Sequence, residues 1–270
     1  MKLEEAWPLS INVGDRLGAA QCLQGLGEIL QMQDQYEEAQ MKLEEAQSQF
    51  IDIGNHLGAA QCLRSLGDIL GMQDKYEEAQ MKLEEARSQF INAGDRLGAA
   101  QCLRSLGDIS KMQGQFEEAR SKLQEARSQF IYIGNRLGAA QCLQHLGDML
   151  RMQNQYEAAQ LMLEEVLPQF INIGNCLGAA QCLQNLGNIL RMQDQYEAAQ
   201  QKLEEARSQF INIGDRVGAA QCLQSLGDIL RTQGEHEEAQ LKLEEALSQF
   251  ITLGLWRDAA ECRQSLGRIS

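Results

Sequence analysis

Positive charge is what this chain has too little of. Its 24 Lys and Arg face 38 Asp and Glu, a formal net charge of −14. Binding to nucleic acid needs clustered cations against phosphates, so that class is excluded, and an anionic membrane surface with it. No apolar run approaches the roughly 18 residues that span a bilayer. The opening segment Met1–Ala6 has no apolar stretch after Lys2, so it does not read as a secretory signal. Histidine is scarce: His56, His145 and His236 stand apart, and no Ser/His/Asp or Cys/His set gathers round them. No Gly-rich phosphate loop is present. With only two prolines and 44% hydrophobic residues, the chain is not disordered.

What the chain does have is a period of 40 residues. Leu17-Gly-Ala-Ala-Gln-Cys-Leu23 recurs unchanged from Leu57, Leu97, Leu137 and Leu177, and once more from Val217. A fixed period of this size marks a stacked array of one supersecondary unit. Seven of the eight cysteines follow it: Cys22, Cys62, Cys102, Cys142, Cys182, Cys222 and Cys262, with Cys176 outside the series. Equivalent sites on stacked helices lie about 8–10 Å apart, whereas a disulfide needs Cα atoms within about 7 Å. The ladder therefore reads as free, buried thiols, with no metal site, and points to a reducing, cytoplasmic compartment.

Within one unit, Ala19, Ala20, Cys22, Leu23, Leu26, Gly27, Ile29 and Leu30 cover most of a helix circumference. The polar exceptions Gln21, Gln24, Glu28 and Gln31 fall on one face, which predicts a narrow strip open to water. Asp34, or Gly114 and Gly234 elsewhere, marks a turn. A second helix is expected from about Gln35 to Ile53, buried through Tyr36, Ala39, Leu43, Ala46, Phe50 and Ile53 and acidic on its outer face at Glu37, Glu38, Glu44 and Glu45. Gly54 is placed to stop it, and Asn55, or Asp15, Asp95 and Asp215, to cap the next helix. The unit is all-α, a helix–turn–helix.

The series Leu23, Leu26-Gly27, Leu30, Tyr36, Ala39, Leu43 and Ala46 resembles the tetratricopeptide-repeat (TPR) family. Leu23 replaces the family's usual Trp, the closing Pro is absent, and the unit is longer than the family's ~34 residues. Long units of this kind are similar to kinesin-light-chain repeats, and the wording of the rungs to the TPR arrays of fungal NLR-type proteins. The resemblance implies an α-solenoid whose repeats wind into a right-handed superhelix with the first helices on the concave side. As a single array it runs over 1–270: a second helix at 1–14, full repeats at 17–54, 57–94, 97–134, 137–174, 177–214 and 217–254, and a capping helix at 257–270. Arg263, Glu261 and Arg268 recharge that last helix, so it is expected to be a true end, whereas more sequence is expected before Met1. Pro8 and Pro168 share one position, 160 residues apart, and predict kinked second helices there.

No catalytic constellation or cofactor site emerges, and an enzyme is not expected. The candidate binding surface is the polar strip of the first helices. It comprises Gln61, Arg64 and Asp68; Gln101, Arg104, Asp108 and Lys111; Gln141, Gln144, His145, Asp148 and Arg151; Gln181, Gln184, Asn188 and Arg191; and Gln221, Gln224, Asp228 and Arg231. Counting also Glu28, Glu261 and Arg268, it carries seven cations and six anions, so the acidity of the chain belongs to the second helices. The unvarying Gln of the strip suits either a peptide backbone or a bond from rung to rung. The expected function is a protein-interaction scaffold that holds a peptide or partner domain in a groove. The alternatives are a structural array that self-associates through exposed ends, and the sensor region of a larger nucleotide-driven, NLR-like receptor.

Overall fold

Two kinds of turn alternate along the chain, and each is fixed by its own side chains. The computed structural model describes residues 7, 9, 10 and 13–269. The first helices of the rungs are α1 (Arg16–Met32), α3 (His56–Met72), α5 (Arg96–Met112), α7 (Arg136–Met152), α9 (Cys176–Met192) and α11 (Arg216–Gln233). The second helices are α2 (Tyr36–Asp52), α4 (Tyr76–Asn92), α6 (Phe116–Tyr132), α8 (Tyr156–Ile173), α10 (Tyr196–Ile213) and α12 (His236–Thr252), and α13 (Trp256–Leu266) closes the chain. No strand occurs among the described residues.

Between a second helix and the next first helix, Gly54 takes φ +71°, a left-handed turn that costs glycine no Cβ clash. The Asn55 carboxamide oxygen then accepts from the Gly58 N–H at 2.9 Å, and Asp15, Asp95, Asn135, Asn175 and Asp215 do the same in their rungs. Each such cap is worth about 1 kcal/mol. Leu255 has no side-chain acceptor, and α13 begins uncapped.

The turn inside each rung has a different solution. Asp34, Asp74, Asn154 and Asp194 sit at φ of 58 to 60°, and each accepts a hydrogen bond from the tyrosine hydroxyl two residues on, at 2.6 to 2.8 Å. Where glycine takes the turn, at Gly114 and Gly234, the aromatic position is Phe116 or His236, neither of which has a hydroxyl. The two positions covary within this one chain because the hydroxyl steadies a non-glycine left-handed residue. That hydrogen bond to Asp34, helped by burial, pushes the Tyr36 phenol up to about 12.

The chain forms two compact units, Met1–Cys142 and Leu143–Ser270, divided within α7. In the first, each helix from α1 to α6 packs on the next, and α1 meets α3 as α3 meets α5. In the second, each helix from α8 to α13 packs on the next, and α9 meets α11. The cores repeat: Ala39, Leu43, Ala46 and Phe50 are fully buried, as are their equivalents down the chain. Gly67 has a packing role, since a Cβ there would lie 2.6 Å from Leu83 Cγ.

Six of the ladder thiols are buried, while Cys22 in the first rung is half-buried and Cys176 is exposed. Leu17, Leu57, Leu97 and Leu177 open the repeated motif yet are 40 to 44% exposed, so repetition alone does not mark the core. The helix α8 runs unbroken through Pro168, and the Gln169 carboxamide donates to the Glu165 carbonyl one turn back. Pro8, and most of the second helix expected at 1–14, lie outside the described residues. On α13, Arg263 is exposed and Cys262 is buried.

Candidate functional site

The polar strip is laid down by one turn chemistry and one period, so equivalent residues of α3, α5, α7, α9 and α11 recur in the same place in each rung. It is not the open surface expected from its polarity. From Gln61 to Arg231 every strip residue is half-buried, and Lys111 is buried. The cover comes from polar neighbours. Gln24 donates to Gln61 at 3.5 Å, Arg64 to Gln101, Arg104 to Gln141, Gln144 to Gln181 at 3.1 Å and Gln184 to Gln221 at 3.1 Å. The unvarying Gln is thus the acceptor of a bond from rung to rung. The variable position before it always carries an N–H donor, Gln or Arg, so its variation is constrained by the stack.

The next strip position makes a second bond between rungs. Ser265 donates to Asp228 at 2.8 Å, and Ser105 stands in the same relation to Asp68. Burial pushes the Asp68 carboxyl above the ordinary range, opposed by the Ser105 hydroxyl and by Arg64 and Arg104. The third relation lies within a helix: Asp108 with Lys111 at 3.4 Å, Asp148 with Arg151 at 2.6 Å and Asp228 with Arg231 at 3.7 Å. A further ladder escaped the sequence reading. Gln40 donates to Gln73, Gln80 to Gln113 and Gln200 to Gln233, joining α2, α4 and α10 to the end of the following first helix, whereas Gln160 and Gln240 bond glutamates of their own helices. Its signal was the unvarying Gln at 33, 73, 113, 153, 193 and 233.

In the second unit the strip opens into a cavity of about 580 Å³. It brings together Arg151 of α7, Gln184, Asn188 and Arg191 of α9, and Gln221, Gln224 and Asp228 of α11. Asn154 and Tyr156 of the rung turn, Met152, Met192, Ser225, Asp258 and Glu261 complete the wall. The strip residues of α3 and α5, and Gln141, Gln144, His145 and Asp148 of α7, are not among the residues that line it. A separate cavity of about 600 Å³ lies in the first unit, lined by Ile91, Arg96, Tyr132 and Ile133, with the Arg96 guanidinium 4.8 Å from the Tyr132 ring.

The cysteine ladder lines neither cavity. Burial pushes the thiols of Cys62, Cys102, Cys142, Cys182, Cys222 and Cys262 up to about 12, far from nucleophilic use near neutrality. Among the described residues no three His, Cys, Asp or Glu side chains group as metal ligands, and no helix is long and apolar enough to cross a membrane.

Three solved structures show what this architecture resembles. The first is a Rap protein complexed with Competence and Sporulation Factor: TM-score 0.71, 14% identity, covering 94% of this chain and 75% of that one. The Rap conjugation gene regulator of plasmid pLS20, in complex with the Phr* peptide, gives a TM-score of 0.72 at 16% identity over 96% of this chain and 75% of that one. A signal-transduction ATPase from Pyrococcus horikoshii with a tetratricopeptide-repeat sensor gives 0.66 at 16% identity, covering 96% of this chain and 43% of that one. At such identities the likeness is one of fold. No curated protein matches the chain by sequence. A family model described as "Tetratricopeptide repeat" matches residues 17–92, 73–131, 99–172 and 174–251. With matches running through every rung, and with helix pairs that pack in succession, the chain belongs to the tetratricopeptide-repeat family.

Proposed function

We propose that the chain is a non-enzymatic protein-interaction scaffold, which holds an extended peptide or a partner segment along the first-helix strip. One observation carries this reading. In the second unit the strip residues Gln184, Asn188, Arg191, Gln221 and Gln224 converge with Arg151 on a polar cavity of about 580 Å³. A cavity walled by amides offers both donors and acceptors to a peptide backbone. By their own description one similar structure holds the Phr* peptide and another the Competence and Sporulation Factor, which supports a binding role here. The near-neutral strip, set against a chain of net charge −14, fits a peptide better than a nucleic acid. Eight cysteines without a disulfide fit a reducing, cytoplasmic setting.

The test is fluorescence anisotropy of random labelled peptide pools on the full chain. Arg151→Glu at the cavity should weaken retention, while Glu45→Arg on the outer face of α2 should not. Losing the Arg151–Asp148 pair costs stability less than about 1 kcal/mol, so weaker binding with an intact melting temperature is the expected result. Equal loss from both variants, or binding by neither protein, refutes the reading. A second reading is the sensor region of a larger nucleotide-driven receptor, favoured by the ATPase whose repeat sensor this chain resembles. It requires a nucleotide-binding domain in the same polypeptide.

A further inference from the structure

The turns between rungs form one notch twice in the first unit, with two different linings. Gly14, Arg16, Gln49, Asp52 and Ile53 wall a cavity of about 480 Å³. Two periods on, Gly94, Arg96, Gln129, Tyr132 and Ile133 wall one of about 600 Å³, together with Ile91 of α4. This second notch shares no residue with the polar strip. Its exposed isoleucine does not set it apart, because Ile51, Ile131, Ile171 and Ile211 are as open as Ile91. Tyr132 does. The equivalent positions carry Asp52, Asn92, Asn172, Asn212 and Thr252, so this is the only aromatic in the series. The tyrosine is 74% exposed, and the Arg96 guanidinium lies over its ring, 4.8 Å from the centroid.

The exchange alters charge as well as shape. In the first rung Asp52 brings a carboxylate to the cavity that Arg16 lines. In this rung a ring stands in its place, and among the described residues Arg96 makes no ion pair. Two cations, Arg87 and Arg96, line the cavity against one carboxylate, and that carboxylate, Glu125, is held by Arg87 at 3.1 Å. The surplus positive charge is therefore that of Arg96, beside an apolar wall of Ile91, Ala99, Tyr132 and Ile133. A cation–π contact leaves guanidinium N–H groups able to bond an anion. We propose that this notch binds a small aromatic acid, a ring system that bears one anionic group. The ring packs on Tyr132, Ile91 and Ile133, and the anionic group takes the Arg96 guanidinium. The volume lies within the roughly 300–1,000 Å³ of small-molecule sites. Four apolar side chains supply far less than the ~800 Å² per partner of a protein interface. The site is independent of the peptide-binding reading above.

The experiment titrates the full chain with anilinonaphthalene sulfonate, an aromatic anion, and with phenylnaphthylamine, its uncharged counterpart, followed by fluorescence and calorimetry. Saturable binding of one sulfonate per chain is expected. Tyr132→Asn installs the residue found at 92, 172 and 212 at an exposed position, so it should not lower the melting temperature. It should weaken both probes roughly ten-fold, through the lost ring contact and apolar area. Arg96→Gln should cut the preference for the sulfonate over the amine by roughly ten-fold or more, the worth of a charge-assisted bond. Sulfonate binding that Tyr132→Asn leaves unchanged, or no saturable binding at all, overturns the site. A sulfonate preference that survives Arg96→Gln overturns the role of the anion. Dimers of the native chain in sedimentation velocity that Tyr132→Asn abolishes would give the notch to a second copy, and the small-molecule assignment would fall.

Discussion

Ser110 is the place where the core departs furthest from its own pattern. It is fully buried in α5, at a position held by Leu30, Leu70, Leu150, Leu190 and Leu230 in the other rungs. Its hydroxyl donates to the Leu106 carbonyl at 3.0 Å and accepts from Lys122 Nζ at 3.2 Å. Ser110→Leu exchanges these for an isobutyl group. The Leu106 carbonyl is already a helix acceptor, and Lys122 keeps its 2.6 Å contact with Glu118, so the polar loss is at most about 1 kcal/mol. Burying the leucine contributes about 1.5–3 kcal/mol. The site accepts that volume elsewhere: Leu70 is 6% exposed against Leu83 and Ala79, and Leu123 and Ala119 hold the matching places in this rung. The net expectation is a gain of about 1–2 kcal/mol, or roughly 2–8 °C in a chain of this size. Repeat arrays open locally, so amide exchange of α5 and α6 is the sharper assay, with urea unfolding of the whole chain beside it. Slower exchange confined to those helices is expected. Unchanged or faster exchange would mean that the cavity is already filled by the Lys122 stem, and would refute the reasoning.

Two other predictions follow from the turns and the thiols. Tyr196→Phe should cost about 0.5–1.5 kcal/mol in the native chain and almost nothing after Asp194→Gly, by analogy with the Gly114–Phe116 rung; equal costs in both backgrounds in urea melts would disprove the coupling. The buried thiols rise from 9.0 to about 12 and the Tyr36 phenol from 10.0 to about 12, so the folded state favours their protonated forms. A raised folded-state value adds stability below the unfolded value, and that stability is lost as pH climbs through the folded one. Unfolding free energy measured against pH should therefore decline from about pH 9 towards 12, with exposed Cys176 alkylated long before the ladder; a flat profile over that window rules this out.

The core was legible because it repeats. Ala39, Leu43, Ala46 and Phe50 sit where a 3.6-residue period puts them, and Gly54 and Asn55 end and start helices by local chemistry alone. The strip was legible in identity and misjudged in exposure. Periodicity tells which face of α3 or α9 avoids the apolar core. It does not tell whether that face meets water or another polar side chain, and here Arg64 meets Gln101 and Gln184 meets Gln221. The same limit explains Leu57, which repeats and yet is exposed. Stacking decides these cases, and stacking is a relation between rungs that one rung's pattern does not contain.

Three kinds of departure from the repeat then separate by what compensates them. Gly114 for Asp comes with Phe116 for Tyr, so the turn loses a hydroxyl bond it no longer needs. Ser110 for Leu comes with Lys122 and Leu106 as partners inside its own rung. Asn188 for Asp has no such answer: Arg191 keeps its charge, and the Asn188 oxygen keeps an empty acceptor. A buried acceptor without a donor costs about 1–3 kcal/mol, which a leucine or a retained aspartate would avoid. Buried acceptors without a donor also occur at Gln89, Gln153 and Gln193, so the unmet oxygen of Asn188 is one of several such sites in the stack and marks no site by itself.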